Sequence, residues 1–134
     1  MRLSIIIGMM LFLFASHSFA DASRALGEIE EVKAEMDDLY WQLDQVDNDF
    51  LVKTALVALR RNAERIVHII DDGIMSGRVQ PYKSDAISKT RMLITSVQRA
   101  HEFADRPPVG VASGRLFVRW ERKLKVTLDE LYNW

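Results

Sequence analysis

Between Ala22 and Val46 the apolar residues fall at Ala22, Ala25, Ile29, Val32, Met36, Leu39, Leu43 and Val46. The steps alternate three and four without a gap, which is the heptad seam of a helix packed against other helices. A strand needs apolar residues at every second position, and no stretch of the chain sustains that. Most of the charge in this segment lies off the seam: Glu28, Glu30, Glu31, Glu35, Asp37, Asp38 and Asp44 make the helix acidic. Asp47-Asn48-Asp49 interrupts the pattern with short polar side chains, which bond local backbone groups and suit a tight turn and a helix cap.

The same period returns three times. A second helix is expected from about Asp49 to Asp71, with Val52, Leu56, Leu59, Ala63, Ile66 and Ile70 as its stripe and Ala55, Ala58, Val67 and Ile69 widening it. Gly73 reads as its stop. The stretch Ile74–Lys83, with Gly77 and Pro81, has no period and reads as the long loop. Ser84 reads as the cap of a third helix that runs to about Asp105, with Ile87, Thr90, Leu93, Val97, Ala100 and Ala104 inward; Pro107-Pro108 ends it. A fourth helix starts between Val111 and Gly114 and turns Phe117, Trp120, Leu124, Leu128 and Leu131 inward. Two short links and one longer one favour an all-α, up-down-up-down four-helix bundle. In that order the first and fourth helices are neighbours. The fourth carries Arg115, Arg119, Arg122, Lys123 and Lys125, so basic and acidic seam edges are expected to meet.

The first 20 residues read differently. Arg2 precedes an apolar run from Leu3 to Phe14, and Ser18-Phe19-Ala20 places small residues at the −3 and −1 positions of a cleavage site. This is the pattern of a secretory signal peptide. Its apolar core is shorter than the ~20 residues that span a bilayer. The expected product is one domain, residues 21–134, exported to a periplasm without stable membrane insertion.

Composition narrows the chemistry. The 134 residues include 18 basic and 19 acidic ones, a balance that offers no electrostatic case for nucleic acid. Zero cysteines exclude disulfides, thiolate metal sites, a Cys nucleophile and thioether-linked haem. The two His of the expected domain lack a Glu three residues earlier: Arg65 precedes His68 and Gln98 precedes His101. The di-iron Glu-x-x-His motif of helical bundles is therefore missing, and no HExxH helix is present. No metal site and no enzyme activity are expected. Tyr40, Trp41, Tyr132 and Trp134 either cover the helix ends or contact a partner protein.

At the first hairpin, Asp47-Asn48 is followed by Val52-Lys53-Thr54-Ala55-Leu56-Val57-Ala58-Leu59-Arg60. This segment resembles the cytochrome b562 family, with its Asp-Asn turn, Val-Lys-x-Ala-Leu run and downstream Arg. Weaker echoes lie at Val97–Asp105 and Leu124-Lys125-Val126-Thr127. The resemblance implies a periplasmic bundle that binds haem b and transfers electrons, with axial Met and His ligands. In the ungapped register the Met position falls on Lys33 and the His position on Asn133. Met36, one turn on, and His68 are the substitute ligands to consider. The alternative is a haem-free periplasmic bundle with a binding, chaperone-like or toxin-immunity role.

Overall fold

A computed structural model describes the backbone of residues 2–45, 50–104 and 110–134, and the side chains of 19–45, 50–102 and 114–134. It contains four helices: α1 (Arg2–Gln45), α2 (Phe50–Ser76), α3 (Val79–Ala104) and α4 (Gly110–Tyr132). Among the described residues there is no strand. Each helix packs on its neighbour in the chain, and α1 closes the ring against α4. The result is a four-helix bundle, as the heptad period requires. The expected turns at Asp47-Asn48-Asp49 and Pro107-Pro108 lie outside the described residues, as does Val46.

The core follows the stripes. Ala22, Ala25, Ile29, Val32, Met36 and Leu39 of α1 are buried, with Val52, Leu56, Leu59, Ala63, Ile66 and Ile70 of α2. From α3 come Ala86, Thr90, Leu93, Ile94, Val97 and Ala100, and from α4 Phe117, Trp120, Leu124 and Leu131. Leu43, Ile87 and Leu128 are only half-buried, as are Ala55, Val67 and Ile69 of the widened α2 stripe, because the ends and shoulders of a stripe face solvent as well as neighbours; Ala58, expected to widen that stripe, is instead exposed.

The acidic and basic edges meet as expected. Arg119 of α4 lies 3.0 Å from Glu35 and 3.4 Å from Glu31 of α1, and Lys123 also pairs with Glu31. Across α1 and α2, Asp44 pairs with Lys53, Asp37 with Arg60, and Lys33 with Glu64 at 3.9 Å. These exposed pairs set register more than stability, since each contributes only ~0–1 kcal/mol.

The expected long loop is absent. Helix α2 runs through Gly73 to Ser76, α3 begins at Val79, and only Gly77 and Arg78 separate them. The true stop is Gly77, whose φ of 70° lies in the left-handed region that glycine enters without strain. Ser76 Oγ accepts a hydrogen bond from the Arg78 N–H at 3.2 Å and steadies the turn. Ser84 is therefore inside α3 and caps nothing. Pro81 is tolerated because it sits in the first turn of α3, where its missing N–H would have had no partner within the helix. Helix α4 likewise starts slightly earlier than expected, at Gly110.

Gly73 serves tertiary packing. A Cβ there would lie 2.4 Å from Trp134 Cη2 and 2.8 Å from Tyr82 Cβ. The last residue of the chain thus lays its ring on the end of α2, beside the start of α3. Lys83 Nζ donates to the Trp134 carbonyl at 3.0 Å and fixes that end. Helix α1 runs unbroken through Ala20, the expected cleavage point. Among the described residues, no helix is long and apolar enough to cross a membrane.

Candidate functional site

Apolar residues off the core stripe gather at one end of the α1–α2 hairpin. Trp41 of α1 is 62% exposed, Val57 of α2 42%, Phe50 77% and Leu51 55%. On α2 the residues Phe50, Thr54, Val57 and Ala58 recur at three- and four-residue steps, so they share a face opposite the Val52–Leu56–Leu59 stripe. Trp41 and Val57 border a cleft of about 370 Å³ between the two helices. Met36 and Leu56 form its floor, Tyr40 its wall, and Asp37 and Arg60 its charged rim.

This end is locally well braced. Lys53 pairs with Asp44 and holds its ammonium 5.2 Å from the Tyr40 ring centre. The hydrogen bond to Asp44 comes first among the causes that hold the Lys53 pKa above its ordinary value. Tyr40 and Trp41 meet edge to face, with centroids 6.2 Å apart. Tyr40 is half-buried while Trp41 stands out.

The four aromatic residues singled out in the sequence divide accordingly. Trp134 is buried over a helix end and Tyr40 half-buried, whereas Trp41 and Tyr132 are exposed. Tyr132 is capped by Arg91, whose guanidinium carbon lies 5.3 Å from the ring centre. Phe50, Leu51 and Val57 were not singled out in the sequence. The signal for them was available, as large apolar residues off the heptad stripe.

The positions implied by the haem-binding resemblance do not converge. Lys33 is half-buried and pairs with Glu64. Thr127 is level with Glu28 and Trp120 with Glu35, so Lys33 stands near the Arg119–Lys123 turn of α4. Asn133 is about 16 Å further along that helix at 1.5 Å per residue, and it is exposed. Met36 is fully buried and shares its cleft with Arg60, whereas His68 is exposed about 12 Å beyond Arg60 on α2. An axial pair must face one iron from opposite sides within bonding distance, and neither pair does so here. His101 is half-buried and stacks on Phe117 with centroids 6.3 Å apart. Among the described residues, no three His, Asp or Glu side chains gather to hold a metal ion.

A second cluster lies on the α1–α4 seam. Thr127 Oγ is 2.9 Å from Glu28 Oε2 and equally close to the Lys123 carbonyl. Beside them Glu130 has its Oε2 buried without a partner. Burial first, and then the neighbouring Glu28 carboxyl, push the Glu130 pKa up to about 7, while Arg24 opposes the shift and Asp21 adds to it. Between the ordinary carboxylate range and about pH 7, folding therefore takes up a proton at Glu130. Stability from this group is full below that window and is lost as the pH rises through it. Relative to Glu130→Gln, the parent should lose about 1–2 kcal/mol between pH 5 and pH 8, allowing for the solvent that reaches the group. Urea unfolding of both proteins at each pH measures this. Equal pH dependence in the two would assign the effect to a group other than Glu130; Glu31 and Glu121, whose pKa values are lowered by Lys123 and Gln98 respectively, act in the opposite sense and lose their stabilisation as the pH falls below the ordinary carboxylate range.

Compared with known proteins, the chain matches no family, no curated protein and no solved structure.

Proposed function

We propose that this chain is an exported, non-catalytic four-helix bundle that binds another polypeptide through the outer face of the α1–α2 hairpin. In this reading residues 1–20 are removed as a signal peptide and residues 21–134 run up-down-up-down. Opposed residue pairs support that order: Asp44 with Lys53 and then Asp37 with Arg60, Glu28 with Thr127 and then Glu35 with Trp120. The likeness to cytochrome b562 is then one of architecture, and the bundle works without haem. The separation of Lys33 from Asn133, and of Met36 from His68, favours this over electron transfer.

One observation carries the proposal: Trp41 stands exposed over a cleft floored by Met36 and Leu56, with Val57 on its rim and Phe50 and Leu51 exposed nearby. Burying such a face releases about 25 cal/mol per Å² of apolar surface, and a Trp at its centre is the side chain most often found at the energetic centre of an interface. A fluorescent apolar dye should bind the dilute protein, and Val57→Asp and Trp41→Glu should each remove that binding with the helical circular dichroism unchanged. Haemin should give no one-to-one six-coordinate spectrum. Dye binding indifferent to both substitutions, or a stoichiometric low-spin haem spectrum, would overturn the reading.

A further inference from the structure

Cations on two seams of the bundle are used in pairs. Lys53 and Arg60 meet carboxylates across α1 and α2, and Arg119 and Lys123 do so across α1 and α4. On the α3–α4 seam Arg91 crosses to α4 and meets a ring instead. Its guanidinium carbon lies 5.3 Å from the centre of Tyr132, and no carboxylate is in ion-pair range among the described residues. An aromatic face attracts a cation but is no strong hydrogen-bond acceptor, so the N–H fork of Arg91 stays open to one.

Beside this contact a groove of about 630 Å³ runs between α3 and α4. It is open because Ser84 and Ser88, one turn apart, stand where longer side chains would fill the space. Lys83 and Arg91 are its charges, and no Asp or Glu side chain lines it. Asp85, on the same stretch of α3, is engaged by Lys89 at 3.4 Å. The two cations are eight residues apart on α3, ~12 Å at 1.5 Å per residue. Their heads converge on one end of α4: Lys83 Nζ donates to the Trp134 main-chain oxygen at 3.0 Å, and Arg91 leans over Tyr132, two residues earlier. Together with the two serine hydroxyls they make one half of the lining polar and cationic. Half-buried Ile87 and exposed Met92 and Tyr132 make the other half apolar.

We propose that this groove binds a small amphiphilic anion: an oxyanion, phosphate or carboxylate, joined to an apolar chain. An oxyanion alone would leave the apolar half wet, and an apolar molecule alone would leave Arg91 without an acceptor. A planar guanidinium suits an oxyanion because its parallel N–H groups can grip two oxygens at once. The volume falls in the range of roughly 300–1,000 Å³ that small-molecule sites occupy. The groove shares no residue with the α1–α2 hairpin face, so this inference goes beyond the function proposed for that face.

Calorimetric titration of the purified protein with octyl phosphate, below its micelle concentration, reads this directly. One-to-one binding is expected, with inorganic phosphate and uncharged octyl glucoside each at least about tenfold weaker. Arg91→Gln should weaken octyl phosphate about tenfold, whereas Arg99→Gln, which removes an α3 cation outside the groove, should change it less than about twofold. Ser84→Leu should fill the groove and abolish binding. All three positions are exposed, and unchanged helical circular dichroism checks that each variant is folded. Vesicles of equal parts phosphatidylcholine and phosphatidylglycerol should not retain the protein, because a groove between two helices admits one chain and not a bilayer. Absence of octyl phosphate binding, equal loss in Arg91→Gln and Arg99→Gln, or indifference to Ser84→Leu would overturn the inference. So would inorganic phosphate binding as tightly as octyl phosphate, or Arg91-dependent retention on the vesicles, which would assign the cations to a lipid surface. Trp41→Glu should leave the octyl phosphate affinity unchanged, so this inference and the proposed function fail separately; a loss there would place the amphiphile on the hairpin face instead.

Discussion

Replacing Trp120 by Ala should cost about 3–5 kcal/mol in urea unfolding, the largest loss expected for any single residue of this bundle. Trp120 is fully buried and is the largest side chain in the core. Its ring packs 4.8 Å, centre to centre, from that of Phe117. Its indole N–H donates to Glu35 Oε2 at 2.9 Å and so ties α4 to α1. Truncation removes the burial, opens a cavity and leaves Glu35 with Arg119 alone. Trp120→Phe keeps most of the ring and loses only the donor, so about 1–2 kcal/mol is expected. A loss below about 1 kcal/mol for the Ala variant would show that the α1–α4 seam is packed differently.

The second large effect is expected at Gly73, where it runs against ordinary helix propensity. In an exposed helix interior Gly→Ala stabilises by roughly 0.5–1 kcal/mol. Here the added methyl would sit 2.4 Å from Trp134 Cη2 and 2.8 Å from Cζ2. The backbone of α2 is held by its neighbours, so the Trp134 ring must leave. Its burial would be lost with it, together with the seat of the Lys83–Trp134 hydrogen bond. Gly73→Ala should therefore destabilise by about 2–3 kcal/mol despite the gain in propensity. The control is Trp134→Ala, in whose background Gly73→Ala should cost clearly less, the remainder coming from the Tyr82 Cβ at 2.8 Å. If Gly73→Ala destabilises equally in both backgrounds, Trp134 is not what the glycine accommodates. The buried Trp134 Nε1 has no hydrogen-bond partner, so packing alone holds this ring.

Gly73 also shows how a local signal and a tertiary one are confused. A glycine after a long apolar stripe, followed by Gly77 and Pro81, carries the punctuation of a helix end and a loop. Locally both Gly73 and Gly77 qualify as stops. Only Gly77 takes a positive φ; Gly73 is helical and bare because an aromatic ring from the far end of the chain rests on it. No rule of spacing relates positions 61 residues apart.

The amino-acid sequence determined by itself that the chain is helical, how many helices it has and which stripe of each is buried, because a 3.6-residue period is a local property. It also determined that the acidic first and basic fourth helices could pair. The tertiary structure decided the rest. It carried α2 on to Ser76 and reduced the expected loop to two residues. It brought Glu130 against Glu28, and it separated Lys33 from Asn133 and Met36 from His68. It left Trp41 and Val57 exposed side by side above a cleft. Each of these depends on the relative level of two helices along the bundle axis. A heptad repeat looks the same after a shift of one heptad, so periodicity cannot set that level, and only the packing of particular side chains between helices can.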